Sequence, residues 1–364
     1  MRTLVGVAAG LLIALVLAEF VVTILLPQRV KRGPRFGRRA IFSWVWLPWR
    51  ALARRLPGTT GDTFLGLFGP IGLLALVTFW AAALMAGFAG LHWANASRVA
   101  AHGATHLADD VYFSASAFFN STSTVAHGGM ARVLRIAEAA TGYLVLFVVI
   151  GYLPALFQAY SRREVAVSQL DPRAGSPPSA SRLLQRSGHL GGWQDIDGYL
   201  AEWEQWAAEL METHLSYPLL AYYRSQHVNQ NWLAALTTVL DTSAFAIAVA
   251  PAATPSAEVT FAIGRHALAD LAYAFRVKPG ESLPDRLSDA DWARLRAIAA
   301  EASLELTDHE PSRGQLDELR AMYEPYAIAL SRRLELPLPA WVGSDEPENW
   351  RLTAWRSRKA TTLH

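Results

Sequence analysis

The stretch Ala108–Asn120, ADDVYFSASAFFN, runs into Ser121-Thr122-Ser123-Thr124, and its reading decides the fold. Asp109 and Asp110 suit the first turn of a helix, where carboxylates complement the amino-terminal dipole. Aromatic and small residues follow, and four consecutive hydroxyl side chains end the run. About a dozen residues cannot cross a bilayer, which needs about 20. A half-length apolar helix that gives way to a polar turn is a re-entrant pattern. Non-helical backbone survives at membrane depth only where protein buries it or water lines it, and the hydroxyl tetrad suits the second condition. The carboxyl end of such a helix points towards the membrane centre, where its partial negative charge favours a cation. The plainer alternative is an extracellular loop with one amphipathic turn.

The flanks favour the membrane. The chain has 364 residues, 52% of them hydrophobic, and no cysteine, which excludes disulfides and thiolate metal sites. Three apolar runs crowd its first part: Leu4–Leu26, interrupted only by Glu19; Phe64–Leu91, without a charge; and Ala139–Phe157, between Glu138 and Arg162-Arg163. The first is too long for a signal peptide and lacks a small-residue cleavage site before the basic stretch, so a retained anchor is expected. Between Gln28 and Gly58 lie Arg29, Lys31, Arg32, Arg35, Arg38, Arg39, Arg50, Arg54 and Arg55, with no acidic residue. The positive-inside rule keeps that loop cytoplasmic, with the amino terminus outside and Arg162 and Arg163 inside. Within it, Ile41–Leu56 carries three tryptophans among arginines and reads either as an interfacial helix or as a solvated loop. Basic charge held against a membrane does not favour nucleic acid as a partner.

Tyr112-Phe113-Ser114-Ala115, Arg132-Val133-Leu134, Glu138, Gly142 and Gly151 together resemble the pore region of two-transmembrane potassium channels, over Phe64–Arg163. The resemblance implies an all-α membrane protein with a potassium-channel-like pore domain at 63–163, made of an outer helix 64–91, a pore helix 109–120, a filter-like loop 120–125 and an inner helix 133–160. An N-terminal transmembrane helix (1–27) and a basic loop (28–62) precede it. A linker (164–190), a helical cytoplasmic domain (191–340) and a tail (341–364) follow. It places the filter on Phe119, Asn120, Ser121, Thr122, Ser123 and Thr124, where the family carries Thr-Val/Leu-Gly-Tyr-Gly-Asp. Both filter glycines are absent, and glycine alone reaches positive φ cheaply. The expectation is a weakly selective cation pore for K+ or Na+, or a non-conducting sensor or scaffold that keeps the channel fold. The resemblance also implies a homotetramer in a bacterial inner membrane, and no cofactor. Gly142, Gly151 and Pro154 are gating candidates, although glycine and proline also serve helix packing. Glu138 either supports the filter or is an interfacial carboxylate paired with Arg132 or Arg135.

Beyond the linker sequence DPRAGSPPS, helices are expected near Ile196–Leu215, Pro218–Val249, Ala257–Phe275, Ser288–Ala302 and Gln315–Leu334. Trp203, Trp206, Leu210 and His214 recur at helical spacing and mark a core face. Residues 232–250 are apolar enough for a fourth span, but Asp241 in their middle favours a buried core helix. Glu209, Glu212, His214, Arg224, His227, His266 and Asp270 form no known catalytic motif, so a membrane-anchored enzyme ranks third. His92, His102, His106 and His127 fall in the external segment. His102 and His106 share a helical spacing but lack a third metal ligand, and a solvated loop is expected.

Overall fold

The computed structural model describes residues 1–25, 45–95, 107–121, 128–226, 229–252, 254–280, 284–307 and 311–344. Among them are ten α-helices and no strand: α1 Arg2–Phe20, α2 Trp46–Ala53, α3 Gly58–Ala94, α4 Leu107–Phe118, α5 Gly129–Ala174, α6 Ala180–Ser216 (kinked at Gly192, whose φ of 66° is not helical), α7 Trp232–Val249, α8 Pro255–Ala274, α9 Asp289–Glu301 and α10 Pro311–Leu334. The chain divides into two compact units, Met1–Gln158 and Ala159–His364.

In the first unit α1 and α3 pair antiparallel through small residues. A Cβ added at Gly87 would stand 2.6 Å from Ile13, and one at Gly90 would stand 3.0 Å from Ala9. Small residues let helix backbones approach where no hydrophobic drive separates helix from lipid. Phe20 meets Trp80 edge-on at 5.3 Å towards the other end of the pair. The tryptophans of α2 dock on protein: Trp49 stacks on Phe64 at 4.3 Å and donates to its carbonyl at 3.0 Å, while Trp46 is buried against Phe68. The short α4 packs on α3. In contrast α5 leaves its apolar surface bare, with 17% of its most apolar window buried against 39% for α3.

Among the described residues four helices are long and apolar enough to cross a membrane: α1 with the turn that continues it to Ile24, α3, α5 and α7. The chain therefore has the make-up of a multi-pass membrane protein. The fourth differs from the others. The α7 helix is 94% buried, wrapped by α6, α8 and α10, so protein already occupies every face that lipid would need.

Asp241 sits inside α7 fully buried, and two side chains answer its charge. Arg286 grips both carboxylate oxygens at 3.1 and 2.7 Å, and the Tyr323 hydroxyl donates to one of them. Arg286 also reaches Glu324 at 2.9 Å and the Pro339 carbonyl at 2.9 Å. Arg320 extends the network to Asp285 at 2.6 Å and Asp317 at 2.8 Å. Hydrogen bonds from Arg320 and the Leu287 amide hold the Asp285 carboxyl below its usual range.

Several boundaries differ from the sequence expectation. The inner helix expected at 133–160 runs from Gly129 to Ala174, and the linker expected at 164–190 shrinks to residues 175–179. Gly175 breaks the helix at φ 86°, and Ser179 caps α6 by accepting from the Arg182 amide. Arg186 and Arg173 then secure the corner, through the Pro172 carbonyl at 2.6 Å and Asp195 at 2.8 Å. The helix expected at 218–249 is a 3-10 turn, Pro218–Tyr222, and a separate α7. Asn231 separates them, because its side chain caps α7 by accepting from the Ala234 amide at 2.7 Å. Trp203, Trp206, Leu210 and His214 are buried as their spacing indicates.

Arg163, expected only as a topology signal, is buried and donates to the Leu220 and Tyr223 carbonyls, each at 2.8 Å. Its guanidinium also stands 3.2 Å from His214 Nε2, while His214 Nδ1 donates to the Leu210 carbonyl at 2.8 Å. The imidazole is thus neutral, and burial followed by the Arg163 charge pushes its pKa well below the ordinary value of 6.5.

Replacing Arg286 by Met strands the Asp241 carboxylate, and the second unit should lose about 3–5 kcal/mol in thermal unfolding of detergent-solubilised protein. Adding Asp241→Leu to that variant should recover part of the loss. Below pH 6.5 the unfolded chain takes a proton on His214 that the folded chain refuses. Stability present at neutral pH should therefore fall on acidification by about 1.4 kcal/mol per pH unit. A melting series over pH should show that slope in the native chain and a shallower one in His214→Gln.

Candidate functional site: a buried polar junction of three helices

The site is built from α3, α4 and α5 of the first unit. Asp110 and Ser114 lie one turn apart and so share a face of α4. Both are fully buried, as are His92 at the end of α3 and Glu138 on α5. The Ser114 Oγ lies 2.7 Å from the Met85 carbonyl on α3 and forms a short hydrogen bond with Glu138 Oε1. The other carboxyl oxygen of Glu138 is 3.6 Å from His92 Nε2. Phe113 closes the apolar side, edge-on to the His92 ring at 5.1 Å. Both carboxyl oxygens of Asp110 lack a hydrogen-bond partner among the described residues, and its charge interacts chiefly with His92 and Asp109.

Two of the junction's contact points lie away from the helix ends. Met85 stands nine residues before the end of α3, and Glu138 nine residues after the start of α5. At 1.5 Å per residue both lie about 14 Å inside their helix ends. Ionisable groups within membrane-spanning helices are costly and occur where they serve a purpose.

The carboxyl end of α4 is fixed by backbone geometry. Asn120 takes φ 49°, the Ser121 amide donates to the Ser116 carbonyl at 2.8 Å, and the Asn120 amide donates to Ala117 at 3.0 Å. This is a Schellman turn with asparagine in the left-handed position that glycine usually takes. The Asn120 side chain donates to the Tyr143 hydroxyl at 2.8 Å. The Phe118 carbonyl meets α5 at Gly142, where an added Cβ would lie 2.0 Å from it, so only glycine permits the approach. Beside this contact a cavity of about 360 Å³ is lined by Val77, Ala81, Met85, Phe118, Gly142 and Leu146.

Of the six residues assigned to the filter, Phe119, Asn120 and Ser121 form this helix-ending turn, with Phe119 exposed. Thr122, Ser123 and Thr124 lie outside the described residues, as do His102, His106, His127, His227, residues 26–44 of the basic segment and residues 345–364 of the tail. Among the gating candidates, Gly142 is a packing contact. Gly151 has nothing within 4 Å of an added Cβ, and α5 continues through Pro154 as one helix. His92 is not in a solvated loop: it closes the last turn of α3 against Glu138. Glu138 meets Ser114 and His92 rather than Arg132 or Arg135. Sequence reading missed Asp110 and Ser114 as its companions, although their spacing of four marks a shared polar face.

The polar residues considered for an enzyme do not gather. His214 is taken by Arg163, Arg224 donates to the Leu334 carbonyl, and His266 pairs with Asp270 on the surface of α8. Among the described residues no three His, Cys, Asp or Glu side chains are placed to hold a metal ion. Compared with protein-family models, with curated proteins and with solved structures, the chain finds no match.

Alanine at Gly142 must push α4 and α5 apart at Phe118, and should cost about 1–3 kcal/mol in thermal stability. Alanine at Gly151, where nothing is near, should be neutral or slightly stabilising. Melting curves of the two variants in one detergent give the comparison.

Proposed function

We propose that the chain is a pore-forming, channel-like subunit whose α3–α4–α5 unit assembles around an axis in copies of itself, four in the arrangement that the sequence resemblance implies. The observation that carries this reading is the seat of α4. A twelve-residue helix, too short to cross, is held between two helices long enough to do so by a buried polar junction. One such helix encloses nothing by itself, and a path for ions needs the motif repeated by rotation. The bare apolar surface of α5 leaves room for neighbours in such a ring. Without filter glycines, the permeant species are monovalent cations, K+ or Na+, passed with weak selectivity. The basic segment between α1 and α3 sets the cytoplasmic side, which also holds the second unit as an assembly or regulatory domain in a bacterial inner membrane.

One observation favours a second reading. The Schellman turn at Asn120 consumes the Ser116 and Ala117 carbonyls, which weakens the negative helix end offered to a cation. A non-conducting sensor or scaffold with the same helix arrangement accommodates that turn.

Proteoliposomes containing the full chain, with the oligomer sized beforehand, decide between the two. Flux of K+ and Na+ well above that of Cl− is the expected result. A correctly assembled tetramer that passes none of the three ions supports the scaffold and ends the channel reading.

A further inference from the structure

Counting protons at the junction leads beyond ion passage. Ser114 has one hydroxyl hydrogen, yet its oxygen contacts two acceptors, the Met85 carbonyl and Glu138 Oε1. If that hydrogen goes to Met85, the contact with Glu138 needs a proton on the carboxyl. If it goes to Glu138, the Met85 carbonyl loses its side-chain donor. The surroundings add to the demand. Two buried carboxyls with a neutral imidazole would place two negative charges among apolar side chains, and burying charge without compensation is costly. Neighbouring elements do not relieve this. On α5, Arg132 and Arg135 make no ion pair with Glu138 among the described residues. On α4, Asp109 adds a further negative charge beside Asp110. On α1, Arg2 lies over the Trp93 ring at 5.7 Å. His92 on α3 is the only basic group facing the carboxyls among the described residues.

We propose that His92, Asp110, Ser114 and Glu138 form a binding site for an exchangeable proton, and that its occupancy decides whether Ser114 ties α4 to α3 or to α5. With the proton bound, Glu138 donates to Ser114 and Ser114 donates to the Met85 carbonyl, in a relay from α5 through α4 to α3. On release, the Glu138 proton leaves to solvent, and Glu138 remains as a carboxylate 3.6 Å from His92 Nε2. Ser114 then turns its hydroxyl to Glu138 and lets go of Met85. No atom other than the proton is gained or lost. The bond exchanged is the polar tie that seats α4, so proton binding adjusts the placement of that helix. The site does not depend on conduction, and a scaffold would carry it as readily as a channel.

Infrared difference spectra of the full chain in lipid bilayers, stepped through pH in H2O and D2O, test the site without reference to flux. The expected result is a titrating protonated-carboxyl band that shifts in D2O, is lost in Glu138→Gln and changes frequency in Ser114→Ala. His92→Gln should move the titration midpoint. Identical spectra for the native chain and folded Glu138→Gln would overturn the proposal. Should Glu138→Gln fail to fold, a Ser114→Ala spectrum indistinguishable from the native one overturns it instead.

Discussion

The first unit turns on one serine hydroxyl. Among the described residues α5 packs closely along neither α1 nor α3, and apolar contact does little to hold it. Against lipid, apolar side chains gain little by meeting each other, so close packing and hydrogen bonds must supply the attraction between helices. Ser114 reaches both α3 and α5 from the face of a helix too short to cross a bilayer. Gly142 complements it one turn beyond Glu138, since a bare α-carbon lets the end of α4 rest against α5. Polar contact and close approach therefore act at neighbouring points of the same helix.

The candidate spanning helices were legible because length and hydropathy are strong signals there, and α1, α3 and α5 stand where the apolar runs put them. The half-length helix was legible for a different reason: Asp109 and Asp110 mark its first turn. Its end was harder to read. Asparagine in the left-handed position does the work expected of glycine, so residues read as filter begin with a helix-ending turn. In the second unit the Pro/Gly/Ser-rich stretch overstated the break, because arginines at 173 and 186 bind the carbonyls and carboxylate around the corner and keep it short. The reverse occurred at 218–249, where one expected helix is a 3-10 turn and a separate α7 that begins at the Asn231 cap. Tertiary partners were invisible in both cases. His92 and Glu138 are 46 positions apart, and nothing local in either segment announces the other.

Asp241 in the second unit and the Glu138–Asp110 pair in the first have opposite surroundings, and the contrast bears on what each does. Asp241 in α7 receives a two-pronged guanidinium and a phenol, and the arginine that grips it is itself held by Glu324 and a carbonyl. Both oxygens of that carboxylate have partners, and such a network rigidifies a core and ties together α7, α10 and the segment before α9. A charge so enclosed has no second state to move to.

Among the described residues Glu138 and Asp110 meet no arginine. They share one imidazole and one hydroxyl between them, so the number of acceptors exceeds the number of hydrogens. Such a junction has two arrangements separated by a single proton, and the difference between them falls on the contacts that seat α4. Rigidity is thus placed in the unit that buries its apolar helix in protein, and adjustability in the unit that presents its helices to lipid. A short helix supported by an adjustable tie at one end and a glycine contact at the other is able to shift beside the α1–α3 pair, whose close approach runs through Gly87 and Gly90.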